Sequence, residues 1–175
     1  MPDDLRYPVG KFVREPHVDA ARRAALIAAI AETPQKLAAA VQGLTDPQLD
    51  TPYRPDGWTV RQVAHHVPDS HMNAYIRCKL AVTEDNPAVK TYDEAAWARQ
   101  ADARRMPIGP SIDLLRLLHE RWVMWLRGLD EPAFARTAKH PEWGTVTVDD
   151  FLQLYAWHGR HHTAHVTGLR QRMGW

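Results

Sequence analysis

Residues 155–165 read Tyr-Ala-Trp-His-Gly-Arg-His-His-Thr-Ala-His and contain four of the ten histidines in the chain. Read as a helix, the stretch places His161 and His165 one turn apart on one face, and His158 and His162 one turn apart on a neighbouring face. Two imidazoles with this spacing can close on a single metal ion. The stretch therefore predicts a metal site on a helix, with two alternative pairs of ligands.

The pattern around the histidines favours one of the two pairs. His162 falls on a flank with Tyr155. Buried imidazoles are costly without partners, so a cluster of them on a core-facing stripe favours a metal over satisfied core histidines or a surface tract. The pair that lies on the predicted stripe is His161 and His165. The residues of that stripe, which follow each other in steps of three and four, are Phe151, Leu154, His158, His161, His165 and Gly168.

A third ligand is expected elsewhere, because two histidines are too few for a stable site. The best candidate is His66, which lies beside Val63 and Val67 on the apolar stripe of another predicted helix, whereas His65 is rotated to the opposite side. Three neutral imidazoles leave a fourth position open, which is typical of a catalytic zinc site. His66, His161 and His165 are therefore the predicted ligands of one divalent metal ion.

The composition is that of one globular domain, which we expect to span residues 1–175. Hydrophobic residues make up 45% and charged residues 25% of the chain, and the net charge of +1 gives no reason to expect a nucleic-acid partner. The single cysteine, Cys78, excludes an intrachain disulfide and a cysteine-based metal cluster. We find no signal peptide and no stretch of about 20 apolar residues, and therefore expect a cytoplasmic protein without membrane contact.

Helix signals occur at four places and predict an all-α, four-helix bundle, a fold whose core often holds metals between facing helices. Residues 45–57, 86–110 and 130–146 are predicted connections, with a short helical turn near Trp97, an extended segment at residues 106–110 and a small β-like excursion at residues 140–146. Pro34 is expected to kink or break the first helix and Pro68 to bend the second. The predicted helices begin after the N-caps Asp19, Thr59, Ser111 and Thr147, and the last ends near Met173.

Three further residues are candidates for orienting substrate or transferring protons. His158 lies on the same stripe as the predicted ligands, and Tyr155 lies beside it. His119 faces inward from the third helix, where a satisfied core histidine or a substrate-facing one is the favoured interpretation. Large aromatic residues usually pack in cores, so Trp58 and Trp157 are interpreted as packing residues.

Motifs along nearly the whole chain resemble the DinB/YfiT-like superfamily, and within it the YfiT branch, which is described as metal-dependent hydrolases and bacillithiol transferases. The resemblance implies a four-helix bundle that binds nickel or zinc through three histidines matching His66, His161 and His165, and a homodimer. Pro68 departs from the alanine that is common in the family. The motifs are YPVG at 7–10, QLDTPYR at 48–54, GWTVRQV at 57–63, HH at 65–66, DSHMN at 69–73, YDE at 92–94 with Trp97, LH at 118–119, RW at 121–122, HH at 161–162, AH at 164–165 and RMGW at 172–175.

Three functions follow as hypotheses. The first is a transferase that joins a low-molecular-weight, bacillithiol-like thiol to an electrophilic small molecule, since a metal favours the thiolate form. The second is a hydrolase with a metal-activated water. The third is a non-catalytic protein that stores a metal or uses it to pin helices together. No glutamate follows a ligand as in His-Glu-x-x-His, so no general base for hydrolysis is evident, and this favours the thiol transferase.

Overall fold

Four long helices form the frame of the protein in a computed structural model that describes residues 5–175. They are α1 (Ala20–Val41), α3 (Val60–Thr83), α6 (Gly109–Arg127) and α8 (Val148–Met173). Helix α1 packs against α6 and α8, and α3 packs against the same two helices. The predicted all-α four-helix bundle is confirmed. The sequence also predicts that residues 1–17 are irregular, and residues 1–4 of this segment lie outside the described part of the chain.

Local capping chemistry explains where the long helices begin. The Asp19 carboxylate accepts the backbone N–H of Arg22, and Thr59 and Thr147 each form a capping box, as their sequence signals predicted. The predicted start of the third long helix is wrong. The helix begins at Gly109, so Ser111 is not its N-cap, and the predicted extended segment gives way to helix from that residue onward. Pro110 in the first turn suits this start, because an N–H there would lack an intrahelical acceptor.

Neither interior proline breaks its helix. Helix α1 continues through Pro34, and α3 continues through Pro68. The prediction of a break at Pro34 is therefore wrong. Each proline still leaves the carbonyl four residues earlier without its helical donor, and at Pro34 this carbonyl belongs to Ile30.

The connections between the long helices contain short elements. Helix α2 (Asp46–Leu49) interrupts the loop predicted at 45–57, and the connection before α6 holds α4 (Glu94–Ala98) and α5 (Ala101–Arg105). Only α4 matches the helical turn predicted near Trp97. The predicted β-like excursion is an antiparallel hairpin that follows α7 (Glu131–Phe134) and consists of β1 (Thr137–His140) and β2 (Gly144–Thr147).

Helix α1 has the length and apolar composition of a membrane span. Within the helix Ala20–Val41, the most apolar window of 18 residues has a mean hydropathy of 1.2. The expectation that no stretch of the chain approaches a membrane span is therefore corrected. Alanine accounts for much of this value, and one face of the helix, with Leu26, Ile30 and Leu37, is buried in the bundle. The helix therefore behaves as a core helix of the described structure.

A layer of polar residues divides the core into two apolar clusters. One cluster surrounds Trp122 and Phe151, and the other surrounds Leu37 and Leu115. Between them along the helices lie Thr33 and Pro34 of α1, His71 of α3, His119 of α6 and the histidines of α8, and His71 and His119 are 0% and 2% exposed. His66 of α3, which lies among residues of the second cluster, contacts the histidines of α8 and completes the layer. Buried imidazoles at this density require partners, so this histidine layer is the part of the core that needs an explanation.

Gly159 lets α1 and α8 approach each other at this layer. A Cβ atom at Gly159 would lie 2.4 Å from Oγ1 and 2.6 Å from Cγ2 of Thr33. Thr33 is buried, and its hydroxyl donates to the carbonyl of Ala29, so it has little room to move. We expect Gly159→Ala to lower the free energy of unfolding by about 1–3 kcal/mol, the usual cost of overpacking.

Gly168→Ala is the matched control for this prediction. The site lies on the same helix, and a Cβ there meets only a guanidinium nitrogen of Arg172 at 3.5 Å, an ordinary contact. Because alanine favours helix over glycine, this variant should gain up to about 1 kcal/mol. Urea unfolding of both variants measures the difference. Equal or greater stability of Gly159→Ala would show that the two helices are not in close contact.

Candidate metal centre

Helix α3 brings His66 to the cluster of histidines on α8. His66 is 5% exposed, and its ring centroid lies 4.8 Å from that of His162 and 5.2 Å from that of His158. Its Nε2 lies 3.2 Å from Nε2 of His158. Trp58, just before the helix, packs against His66 with a centroid distance of 4.7 Å. The inward position predicted for His66 agrees with this arrangement.

His65 faces another part of the structure. Its Nδ1 lies 2.7 Å from the hydroxyl of Ser111, and its Nε2 lies 3.1 Å from the carbonyl of Met106. Both ring nitrogens of His65 therefore have partners, one on α6 and the other on the connection that precedes it. This agrees with the prediction that His65 points away from the predicted site.

The position of His162 is a correction. The sequence placed it on a flank of α8, yet it is 8% exposed and lies among the other imidazoles, with centroid distances of 4.4 Å to His158, 5.0 Å to His161 and 5.3 Å to His165. Its supposed flank partner Tyr155 is also buried. The buried arc of α8 is wider than one stripe, because α1 packs on one side of the helix and α3 on another.

Three nitrogens of the cluster are buried without a hydrogen-bond partner among residues 5–175. They are the Nδ1 atoms of His161, His162 and His165. In His165, Nε2 lies 3.1 Å from the carbonyl oxygen of Arg6 and must donate to it. When the ring is neutral, Nδ1 of His165 therefore carries a lone pair. Unpartnered buried nitrogens are rare, and a cation would satisfy such lone pairs.

Burial keeps these imidazoles neutral. It lowers the pKa of His66 to about 3 and the pKa values of His161 and His165 to about 4, with neighbouring histidines adding to the effect for His66 and His161. Burial and the neighbouring histidines also lower the pKa values of His158 and His162 well below the ordinary value. Neutral imidazole is the form that binds metals, so the described donor set fits a metal ion.

Two sets of three histidines bring one ring nitrogen each within 4.8 Å of one another. The first set is His66, His158 and His162, and the second is His161, His162 and His165. The predicted ligands are divided between the sets, with His66 in one and the other two residues in the second. The structure thus assembles all the predicted ligands in one cluster, and it adds His158 and His162 as rival donors.

The three other candidate residues lie at different depths. His158 is part of the cluster itself. Tyr155 is buried, which raises its pKa, and its ring meets that of His71 edge to face at 5.1 Å. His119 lies in the core on α6, and its Nε2 is 2.8 Å from Nδ1 of His71. His71, to which the sequence analysis assigned no role, lies on the apolar stripe of α3 one turn after Val67, which was the available signal.

The cluster forms one wall of a cavity of about 390 Å³. Aromatic rings cover the imidazoles, with Trp157 stacked on His161 at 4.3 Å and Tyr53 on His165 at 3.8 Å. Trp58 and Trp157 are packing residues, as predicted, but the rings they pack against are the imidazoles of the site. The guanidinium-bearing residues Arg6 and Arg54 also line the cavity, and the full lining adds Tyr7, Asp56, Gly57, Glu94 and the five clustered histidines.

Ion pairs and a hydrogen bond fix the loop after α2, which carries Tyr53 and Arg54 of the cavity wall. Arg61 of α3 donates to Asp50 at 2.6 Å and to Asp46 at 2.7 Å, which ties α2 and its loop to the start of α3. At the far end of the loop, the guanidinium of Arg172 donates to the carbonyl of Tyr53 at 2.6 Å. These contacts position Tyr53 and the neighbouring Arg54 over the histidines.

Glu94 provides a carboxylate that the sequence pattern did not reveal. It lies at the start of α4 and lines both the histidine cavity and an adjoining cavity of about 400 Å³, which His158 also lines. Burial, together with Glu142 and Asp93, raises the pKa of Glu94. A carboxylate from a distant segment therefore lines the cavity together with the histidines.

A four-helix bundle with a histidine-lined cavity between facing helices defines a class of metal-binding folds. The chain belongs to the DinB superfamily, whose family model matches residues 29–166.

Relatives from several bacilli extend this match to nearly the whole chain. A Bacillus cereus protein named "Putative metal-dependent hydrolase" is 48% identical over 173 residues, which cover 99% of both chains. A similarly named Bacillus mycoides protein is 49% identical over 172 residues, covering 98% of this chain and 99% of the relative. The family predicted from the sequence motifs is therefore confirmed.

Solved structures support the same assignment. YfiT from Bacillus subtilis, described as a probable metal-dependent hydrolase with an unusual four-helix bundle topology, superposes with a TM-score of 0.96 at 46% identity, covering 98% of this chain and 99% of that one. A second four-helix bundle protein superposes with a TM-score of 0.56 at 18% identity and supports the fold alone.

Proposed function

We propose that this protein is a metal-dependent enzyme that joins a low-molecular-weight thiol to an electrophilic small molecule. His66, His161 and His165 would hold one divalent ion, zinc or nickel. The observation that carries the proposal is the cluster of neutral, buried imidazoles with unpartnered nitrogens on the wall of a cavity. A divalent cation bound there would favour the deprotonated form of a thiol or a water molecule.

The choice among the five clustered histidines rests on their position relative to the cavity. Trp157 and Tyr53, which line the cavity, stack on His161 and His165, so this pair lies on the aromatic wall of the cavity, whereas His158 also directs one ring nitrogen into the core. An ion that must meet a substrate needs ligands on the cavity side, with one position open. His66 completes the set from α3. The family resemblance supports the same three residues.

The cavity wall suits a thiol that carries carboxylates. Arg6 and Arg54 present guanidinium groups, which pair with carboxylates in a planar, two-bonded geometry. Trp58 and Trp157 offer apolar faces for an electrophile such as an epoxide or alkyl halide and keep water away from it. The sulfur would form a bond to carbon as the bond to the leaving group breaks, and the thiol proton would pass to His158 or to solvent.

Hydrolysis is the second candidate, and Glu94 is the observation that favours it. Its carboxylate lines the cavity together with the histidines, where it could accept a proton from an attacking water. The names of the relatives point to the same reaction class. A non-catalytic protein that stores a metal or uses it to join α3 and α8 is the third possibility. The homodimer and the cytoplasmic location stay predictions.

The product distinguishes these functions. Metal-loaded protein is incubated with an electrophile in ¹⁸O-labelled water, with and without a small carboxylate-bearing thiol. We expect a thioether product, a rate that saturates with thiol, and no turnover after chelation. Labelled oxygen in the product without thiol would identify a hydrolase and would contradict the transferase. No turnover under either condition would leave a metal-binding role.

Two variants sharpen the same experiment. We expect Cys78→Ala to keep most of the turnover, because burial raises the pKa of the Cys78 thiol and removes it as a nucleophile. We expect Glu94→Gln to slow hydrolysis by roughly 100-fold or more if Glu94 is the base, and to leave thiol transfer nearly unchanged. Loss of thioether formation in Cys78→Ala with the fold intact would contradict an exogenous thiol as nucleophile.

A further inference from the structure

A line of hydrogen-bonded imidazoles leads from the cluster into the core. Nδ1 of His158 lies 3.1 Å from Nε2 of His71. Nδ1 of His71 lies 2.8 Å from Nε2 of His119, and Nδ1 of His119 lies 2.7 Å from the carbonyl oxygen of Ile30. Each of these imidazoles comes from a different helix, and the last contact reaches α1. The line therefore connects all four helices of the bundle.

The carbonyl at the end of the line is free because of a proline. In an α-helix the carbonyl of Ile30 would accept the N–H of residue 34, but residue 34 is Pro34 and has no N–H. His119 supplies the missing donor. The helix thus keeps its course through Pro34 while its unpaired carbonyl is satisfied by a side chain from α6.

This carbonyl determines where every proton in the line resides. A carbonyl oxygen can only accept, so Nδ1 of His119 must carry a proton. Burial lowers the pKa of His119 to about 4 and holds that of His71 well below its ordinary value, so both rings are neutral and carry one proton each. Nε2 of His119 is then an acceptor, and His71 must be protonated on Nδ1. By the same step, His158 donates from Nδ1 to Nε2 of His71.

We propose that His71 and His119 are positioning residues that hold His158 in the tautomer protonated on Nδ1, so that its Nε2 lone pair faces the histidine cluster. This lone pair lies 3.2 Å from Nε2 of His66 and 3.5 Å from the Ser70 hydroxyl, which can donate or accept and does not decide the tautomer. In the opposite tautomer, His158 would direct an N–H at the cluster.

The tautomer of His158 has a consequence for the proposed metal site. An N–H directed at the cluster would repel a cation held by His66, whereas a lone pair stabilises one or accepts a proton from a neighbouring group. This consequence rests on the proposed function, but the tautomer itself does not. It is a property of the metal-free protein and holds whether the reaction is thiol transfer, hydrolysis or neither.

The tautomer can be read directly from the metal-free wild-type protein. Long-range ¹⁵N–¹H correlation spectra of histidine-labelled protein near pH 7.5 distinguish the protonated ring nitrogen from the unprotonated one. We expect the proton on Nδ1 in His158, His71 and His119. A proton on Nε2 of any of the three overturns the proposal, and this result needs no variant that could fail to fold.

A variant tests whether the line causes the tautomer. His119→Leu removes the acceptor for His71 and the donor to Ile30. We expect the Nε2–H form of His158 to appear and the Kd for Zn²⁺ to rise about tenfold or more, the usual effect of losing such a partner. An unchanged His158 tautomer in folded His119→Leu overturns the causal claim. His119→Gln, whose amide can both accept and donate, should restore the wild-type tautomer.

His65→Leu is the matched control. His65 is equally buried and also uses both ring nitrogens, but its partners are Ser111 and Met106, outside the line. We expect its His158 tautomer and its Zn²⁺ affinity to match those of the wild type. Equal changes in both variants would indicate general damage to the fold and overturn the positioning role. Failure to detect any turnover would count against the proposed function alone, since the spectra do not depend on it.

Discussion

Acidifying the metal-free protein from pH 7 to about pH 4 is expected to unfold it. Seven histidines of the layer have folded-state pKa values lowered by burial, namely His66, His71, His119, His158, His161, His162 and His165. In the unfolded chain each returns to the ordinary value of about 6.5. Below that pH the unfolded state binds more protons than the folded state, so stability falls as the pH falls.

The expected effect is large because the contributions add. A depressed histidine pKa gives stability that is present above about pH 6.5 and is lost between there and the folded value, which is about 3 for His66 and about 4 for His119, His161 and His165. If only three of the seven gain their proton on unfolding, the free energy of unfolding falls by about 4 kcal/mol per pH unit. Two such units remove about 8 kcal/mol, a large part of the stability of an ordinary domain, which is about 5–15 kcal/mol, and each further histidine that gains a proton on unfolding adds to this loss.

Urea unfolding followed by circular dichroism at pH 8, 7, 6 and 5 measures the slope. Metal-loaded protein is the control, and it should resist acid to a lower pH because the ion competes with protons for the same nitrogens. A free energy of unfolding that stays level from pH 7 to pH 5 would show that these imidazoles take up protons without cost. In that case the imidazoles would be accessible to solvent in the folded protein, which would contradict the prediction.

Features set by local chemistry were predicted well from the sequence. The caps of α1, α3 and α8 depend on one side chain and the backbone within the next turn, as with Thr59 and Gln62. Gly174 ends α8 with a φ of 72°, a left-handed conformation that favours glycine. Such contacts span few residues, so the sequence carries the whole signal.

Several features that depend on contacts between distant segments were missed, although the approach of His66 to α8 was predicted. The prediction that His162 lies on a flank of α8 assumed a single buried stripe. It is wrong because α8 is covered on two sides, which the sequence does not reveal. A kink or break was expected at Pro34, and the break does not occur. The sequence does not reveal that His119, 89 residues away, supplies a donor to the carbonyl of Ile30. Glu94 reaches the cavity only through the path of a long connection. In each case the deciding partner lies on another element.

The histidine layer shows why one residue type can serve two purposes in this core. His119 and His71 satisfy each other and a carbonyl left free by Pro34, so they behave as structural polar groups. His161, His162 and His165 keep unpartnered nitrogens at the cavity, as expected of residues that bind something. His158 joins the two groups, because one of its nitrogens faces each. Burial alone therefore does not separate ligands from core histidines, but the partners of each nitrogen do.

Replacing His66, His161 or His165 singly with alanine is expected to remove most of the bound metal. Each variant would leave two imidazole ligands, too few for a stable site. His65→Ala and His162→Ala are the matched controls, since both residues are equally buried and neighbour a predicted ligand in sequence. We expect both to retain close to one ion per chain, with His65→Ala losing about 1–3 kcal/mol of stability from its unpaired partners.

Metal content per chain, measured by plasma mass spectrometry after loading with zinc or nickel, decides between the two donor sets. His162 belongs to both sets of closely spaced nitrogens, so its variant is the most informative one. If His162→Ala loses the metal while His161→Ala keeps it, the ion lies deeper in the cluster, between α3 and the inner face of α8. Retention of the metal with His161→Ala or His165→Ala would refute the proposed ligand set. If all three variants of the predicted ligands lose the metal and both control variants retain it, the ion lies on the cavity side of the cluster, where a substrate can reach it.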